Sequence, residues 1–296
     1  MASKNKKSLI FLPLSVLCVF LSCQTMPPVP DSFREDAAHA PLDTGANVYI
    51  FANVKEARSV INLLPIEELN NSQTRQMLDR TSYLAAALFP PSSGRRFQLV
   101  TWGNYPRSQA NMAFSIGRNW QAQQSASGQA YWHSGADRLS LAVTSNQAFV
   151  ASSLRTEPLD PYASAPGIRI PEGFNNFRRE APLTCWLNNP APFIGRLLND
   201  AGVPIRLPVK ELFFNIQPVS GNCEVTVRFQ FENASQARGM IALLSLASGY
   251  ISNNQILALL FANTPILNGV NVDLKTGSLN ERELLLFLNF FLGGTR

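Results

Sequence analysis

An α+β fold, layered in an α/β/α-like way around an antiparallel sheet, is the class that three features of this 296-residue chain predict. First, FANVKEARSVINLL at 51–64 recurs as FENASQARGMIALL at 231–244, with seven of fourteen positions identical and no gap. Second, each copy starts at the end of a strand-like run, VYIF or CEVTVRFQF, and precedes a second apolar segment, YLAAALF or ILALLFA. A further strand-like run, RRFQLVTW or GVNVDLKT, closes each unit. Third, Cys223, Val225, Val227, Phe229 and Phe231 alternate with polar neighbours, the pattern of an antiparallel strand with one buried face. Two duplicated β-α-α-β units in one pseudosymmetric domain are therefore expected, because neither unit has enough strand to close a core alone.

The N-terminus reads as an export signal over residues 1–22. Lys4, Lys6 and Lys7 precede LIFLPLSVLCVFLS, with no acid among them. That apolar run is shorter than the ~20 residues a spanning helix needs, and it suits a secretory signal. Cys23 follows it directly and is the candidate lipidation site. Residues 23–46 read as a tether, since Pro27, Pro28, Pro30 and Pro41 sit among small and polar residues with no apolar period.

The first half, 47–153, opens on the first repeat. Asn53 is placed to cap its helix, and Ala57, Val60, Ile61 and Leu64 form a stripe at helical spacing. YLAAALF is expected as the second helix. Ala110–Gly117, Gln129–His133, Leu139–Thr144 and Ala148–Ser152 read as strands, with turns at Asp137 and Ser145-Asn146. Residues 154–180, rich in Pro and charge, read as a linker. The second half, 181–296, is expected to hold a strand at Leu183–Leu187 and a helix near Pro192–Ala201 that stops at Gly202. A hairpin of Glu211–Gln217 and Cys223–Phe231 follows, turning at Ser220-Gly221-Asn222. Asn233 caps the second repeat helix as Asn53 caps the first.

Charge excludes a nucleic-acid role. The chain carries 25 Lys+Arg against 20 Asp+Glu, but removing the three signal lysines leaves 22 against 20, a balance of +2. No basic block remains to form a stripe along a phosphate backbone. Phosphate-binding glycine loops, HExxH and GxSxG are absent, so no enzyme and no cofactor are expected. His133 is the one histidine beyond the tether, and a surface or turn position is its expected place. No Cys/His cluster points to a metal. Beyond Cys23 lie Cys185 and Cys223; in an oxidising envelope a disulfide between them and two buried free thiols both fit.

The apolar helices carry the functional expectation. NERELLLFLNFFLGG is apolar nearly all round after its first turn, and such a helix is either fully buried or in contact with lipid. The candidate lipid contacts are Met240, Ile241, Leu244, Ile256, Leu257, Leu260, Leu284, Leu285, Phe287, Leu288 and Phe291. Trp102, Trp120, Trp132 and Trp186 fit either an interfacial belt or a core.

Phe20-Leu21-Ser22-Cys23, followed by Gln24, a Pro-rich tether and an α/β body with apolar helices, resembles treponemal outer-membrane lipoproteins. That resemblance implies a protein anchored through Cys23 acyl chains to the periplasmic leaflet of the outer membrane. It also implies amphipathic helices that insert and alter permeability. Two other readings share the same residues: a periplasmic carrier holding a lipid or other apolar ligand in a helix-covered cavity, and a structural module that binds other proteins.

Overall fold

A computed structural model describes residues 36–63, 72–90, 97–116, 119–125, 128, 130–135, 138–145, 148–153, 168–191, 193–195, 207–247, 255–260 and 262–292. Cys23, most of the tether and the Asp137 and Asn146 turn positions lie outside them.

The strands are β1 (Val48–Asn53), β2 (Thr81–Leu88), β3 (Phe97–Gly103), β4 (Gln121–Gln124), β5 (Ala130–Ser134) and β6 (Leu139–Ser145). They continue with β7 (Ala148–Ser152), β8 (Leu183–Leu187), β9 (Val209–Val219), β10 (Asn222–Phe231), β11 (Ile266–Asn268) and β12 (Asn271–Lys275). All twelve form one sheet in the order β11-β12-β10-β9-β8-β1-β2-β3-β7-β6-β5-β4. Every neighbouring pair is antiparallel. The β1–β8 pairing carries the sheet across both halves of the chain.

Among the described residues the named helices are α1 (Arg58–Leu63), α2 (Ser72–Arg80), α3 (Arg107–Ile116), α4 (Phe174–Arg179), α5 (Ala234–Ala247), α6 (Gln255–Leu260) and α7 (Glu281–Leu292). Strand parity sorts them into two layers. Val48, Cys185, Leu212, Phe214 and the odd residues of β10 pack with Val60 of α1, Met240 of α5, Leu260 of α6 and Leu284 and Phe287 of α7. On the same sheet face, Leu141, Phe149 and Ala151 pack with Ala110 and Phe114 of α3. The other face carries Tyr49, Phe51, Ala85, Val100, Trp186 and Phe213, covered by Phe174 and Phe177 of α4 and by residues 37–46.

Local chemistry explains the hairpin and the close approaches. Ser220 (φ 47°) and Gly221 (φ 86°) both occupy the left-handed region, as a two-residue turn between right-twisting strands requires. Gly103 ends β3 where a Cβ would lie 2.0 Å from the Arg80 carbonyl oxygen, so no other residue fits.

Several expectations are corrected. YLAAALF is not a helix but lies in β2, because Ala85 and Ala87 are small enough to sit fully buried beneath the aromatics of the α4 face. Tertiary packing overrides the helix propensity of alanine. The second helix of that unit is instead the polar α2. Residues 110–116 are helical, with Ala110 and Phe114 buried one turn apart and the Ala110 N–H donating to the Pro106 carbonyl at 2.9 Å. The expected linker and tether both end earlier than drawn. Ile168, Phe174 and Phe177 are core, and so are Ala37, Ala40, Leu42 and Ala46. His133 is not at the surface: it lies in β5, 8% exposed, with Nδ1 3.0 Å from the Ser140 hydroxyl.

Candidate functional site

The helix layer over the C-terminal half of the sheet is the first candidate. Its helices begin where side chains satisfy the amides that a helix start leaves open. The Asn233 carboxamide oxygen accepts from the Gln236 N–H at 3.0 Å, and Asn53 does the same for Glu56 at 3.4 Å. Before α7, the Glu283 N–H donates to Asn280 at 3.1 Å and the Asn280 N–H donates to Glu283 at 2.9 Å, a reciprocal capping box.

Within this layer the sequence-predicted lipid contacts divide. Met240, Leu244, Leu260, Leu284 and Phe287 are 0–7% exposed and belong to the core, so in this conformation they face the sheet and not a lipid. The Phe287 ring meets Phe214 edge-on at 5.7 Å. Ile241 and Leu288 are half-buried and pack at the margin of the same cluster, as do Leu259 and Phe290. Leu285 and Leu286 are also half-buried, on the flank of α7 away from Leu284 and Phe287. Asn289 is exposed between them. The side chains of Ile256, Leu257 and Phe291 lie outside the described residues. Among the described residues no helix is long and apolar enough to cross a membrane.

Cys185 and Cys223 are both buried free thiols. Of the two alternatives left open, register excludes the disulfide: Cys185 pairs with Phe214 and Cys223 with Pro218, placing β9 between them with a four-residue offset. Strand spacing of about 4.8 Å and a rise of about 3.4 Å per residue separate them by about 17 Å, beyond the ~7 Å limit between bridged Cα atoms. Burial pushes the Cys223 thiol up to about 11, with the nearby Glu283 charge adding to the effect. Burial also raises the Cys185 thiol. The tryptophans form no belt: Trp102 and Trp186 are core, and Trp120 and Trp132 pack on Phe114 at 5.2 and 6.0 Å.

The second candidate is an open cleft of about 600 Å³ on the α4 face, where β1 and β9 end and β2 and β8 begin. Phe51, Ala52, Pro182 and Pro218 line its apolar part, and Asn53, Tyr83, Arg178 and Arg179 its polar part. The Arg178 guanidinium lies 5.7 Å over the Phe51 ring. Burial lowers the Arg178 pKa and the like charge of Arg179 lowers it further, against the opposing influence of Tyr83 and Asp36. The Asn53 amide donates to the Tyr83 hydroxyl at 3.3 Å. Of these cleft residues the sequence points only to Phe51 and Asn53, both as positions shared by the two repeats. The available signal was FNNFRR, whose two phenylalanines three apart mark a helix face and whose arginines follow directly. Among the described residues no group of three or more His, Cys, Asp or Glu side chains converges on a metal position.

Comparison with known proteins places this architecture. The family model for outer membrane-associated lipoprotein TP0453 matches residues 38–257, which take in α5 and stop before α7. The crystal structures of TP0453 in forms III and I superpose with a TM-score of 0.59, at 18% and 19% identity. They cover 84% and 86% of this chain and 96% of each TP0453 chain. Form IV gives 0.57 at 18% identity, over 83% of this chain and 95% of the other. At such identity the likeness concerns the fold. No curated protein matches the chain.

Proposed function

Because this chain belongs to the outer membrane-associated lipoprotein TP0453 family, we propose that it is a non-enzymatic lipoprotein of the bacterial outer membrane whose helix layer docks on the periplasmic leaflet. Outer-membrane association comes with the family. The single observation that carries the docking step is α7. Eight of its twelve residues are Leu or Phe, yet it turns Leu284 and Phe287 into the core while Leu285, Leu286, Leu288 and Phe290 stay half-exposed. At twelve residues such a helix is about 18 Å long, too short to span the bilayer core, so it would lie in the interface. Acyl chains on Cys23 would hold the body at the bilayer, since one chain alone gives only marginal attachment and two or three make it stable.

The two Asn-capped repeat helices support a duplication as the origin of the scaffold. The caps at Asn53 and Asn233 are alike, and in each case the helix follows a strand of the shared sheet.

Full-length protein carrying Cys23→Ser, and so lacking acyl chains, tests the docking. It should co-float with phosphatidylglycerol-containing liposomes and release an entrapped dye. Protein that stays at the bottom of the gradient and leaves vesicles intact would remove the helix layer from the account. Incorporation of a fatty-acid probe into the parent and not into Cys23→Ser tests the anchor.

A further inference from the structure

We propose that two copies of this chain associate through β11, strand to strand and antiparallel about Leu267. β11 ends the sheet, and among the described residues it pairs only with β12. Ile266 and Leu267 are 48% and 41% exposed, two of the four large apolar side chains that stand open among the described residues. Natural sheets guard an open edge with charge, a bulge or a covering element. Here the chain carries no charge from Ala262 to Val272, and the β11–β12 register runs without a bulge. β4, at the other edge, presents only Gln and Ala to water.

The hydrogen-bond pattern shows which residue of β11 faces outward. The Phe231 N–H donates to the Val270 carbonyl at 3.0 Å, so Gln230 and Asn271 form a non-hydrogen-bonded pair between β10 and β12. The N–H and C=O of Asn271 therefore point towards β11 and its partner Asn268. One residue back the direction alternates, and Leu267 turns its N–H and C=O outward. Pro265, the next residue of that parity, has no N–H to leave unpaired. A twofold axis at Leu267 joins each Leu267 N–H to the Leu267 carbonyl of the second copy and sets Ile266 opposite Asn268.

Side-chain direction favours a strand over a lipid surface as the occupant. Ile266 lies opposite Asp273, on the α4 face, and Leu267 lies opposite Val272, on the face of α5, α6 and α7. A bilayer could cover one of these side chains, whereas a strand laid alongside covers both. A second copy fits because the strand is its own complement: uncharged, it meets no like charge across the axis. That axis stands perpendicular to the sheet, so α5, α6 and α7 of both copies share one face. Both copies could then dock on one leaflet together; this consequence, unlike the pairing itself, rests on the docking proposed above.

Three residues a side make a small interface, so the dissociation constant should be on the order of 100 μM. Full-length protein carrying Cys18→Ser and Cys23→Ser keeps only the buried Cys185 and Cys223 and is the parent for the test. In sedimentation equilibrium its weight-average mass should climb from one chain towards two as concentration passes that value. Leu267→Lys sets two like charges together at an exposed position and should hold the mass at one chain. Under mild oxidation Leu267→Cys should give a covalent dimer, since Cα atoms of a hydrogen-bonded pair lie about 5.5 Å apart, within reach of a disulfide. Ile266→Cys, opposite Asn268 in this register, should not cross-link. A parent that is monomeric at every concentration leaves the edge to lipid or to another protein's strand and overturns the proposal. So does Leu267→Lys associating as the parent does, or equal cross-linking at 266 and 267. No membrane is present in these measurements, so their failure leaves the leaflet docking standing.

Discussion

Arg228 and Asp273 form a two-pronged ion pair across β10 and β12, at 2.7 Å from both Nε and the terminal nitrogen. The guanidinium also lies 4.4 Å over the Phe177 ring, tying α4 to the sheet. Both side chains are nearly buried, at 13% and 10% exposure, so removing one partner strands a charge. Asp273→Asn should therefore cost about 3 kcal/mol, seen as an earlier urea midpoint; an unchanged midpoint would show that water reaches the pair. Glu211 illustrates the opposite sign. Burial raises its carboxyl above the ordinary range, while the Trp186 N–H donating at 2.8 Å opposes the shift. A raised folded pKa means stability that is present below the unfolded pKa and lost as pH rises through the folded one. Glu211→Gln, which keeps an acceptor for Trp186, should unfold later than the parent at pH 7. The difference should vanish well below the ordinary Glu pKa of about 4.3, where both states of the parent are protonated. Neither pair was legible beforehand, since each joins residues brought together by strand register and not by spacing along the chain.

At the scale of elements, the caps were the most legible feature. Asn53 and Asn233 act locally, through an amide three residues on, and local chemistry is written in local sequence. Asn233→Ala should cost about 1 kcal/mol of stability in chemical unfolding; no loss would mean that Gln236, whose side chain accepts from the Glu232 N–H at 3.3 Å, suffices alone. The alternation along β10 was legible for the same reason, each odd residue being 0–2% exposed. YLAAALF was not. Its alanines favour a helix in isolation, and only the aromatic layer of Phe51, Phe174 and Trp102 on that face makes small residues in a strand the better fit. The stretch 168–180 was misread because five of its thirteen residues are charged and it continues a Pro-rich segment, while three buried apolar residues, Ile168, Phe174 and Phe177, decide its place. The α4 cleft went unseen with it.

Across the whole molecule, the two faces of the sheet carry different covers: α5, α6 and α7 on one, α4 and residues 37–46 on the other. Residues 37–46 run over the α4 face, where Asp36 accepts from the Ala38 N–H at 2.9 Å and from the Asn175 amide at 2.8 Å. Those bonds, with the charges of His39 and Arg178, outweigh burial and hold the Asp36 carboxyl below its usual range. The chain thus reaches the anchor from the face opposite α7. Gln24–Glu35 can span at most about 40 Å, enough to pass a sheet and one helix layer of about 10 Å each. On the proposed docking, that reach would allow α7 to meet the bilayer to which Cys23 would be attached. The most direct measurement places an environment-sensitive fluorophore at residue 286, in protein carrying Leu286→Cys and Cys23→Ser, with Gln123→Cys on the far edge strand as the control. The account predicts that phosphatidylglycerol vesicles shift the emission of the α7 label to the blue and leave the β4 label unchanged. Equal emission from the α7 label with and without vesicles would contradict it.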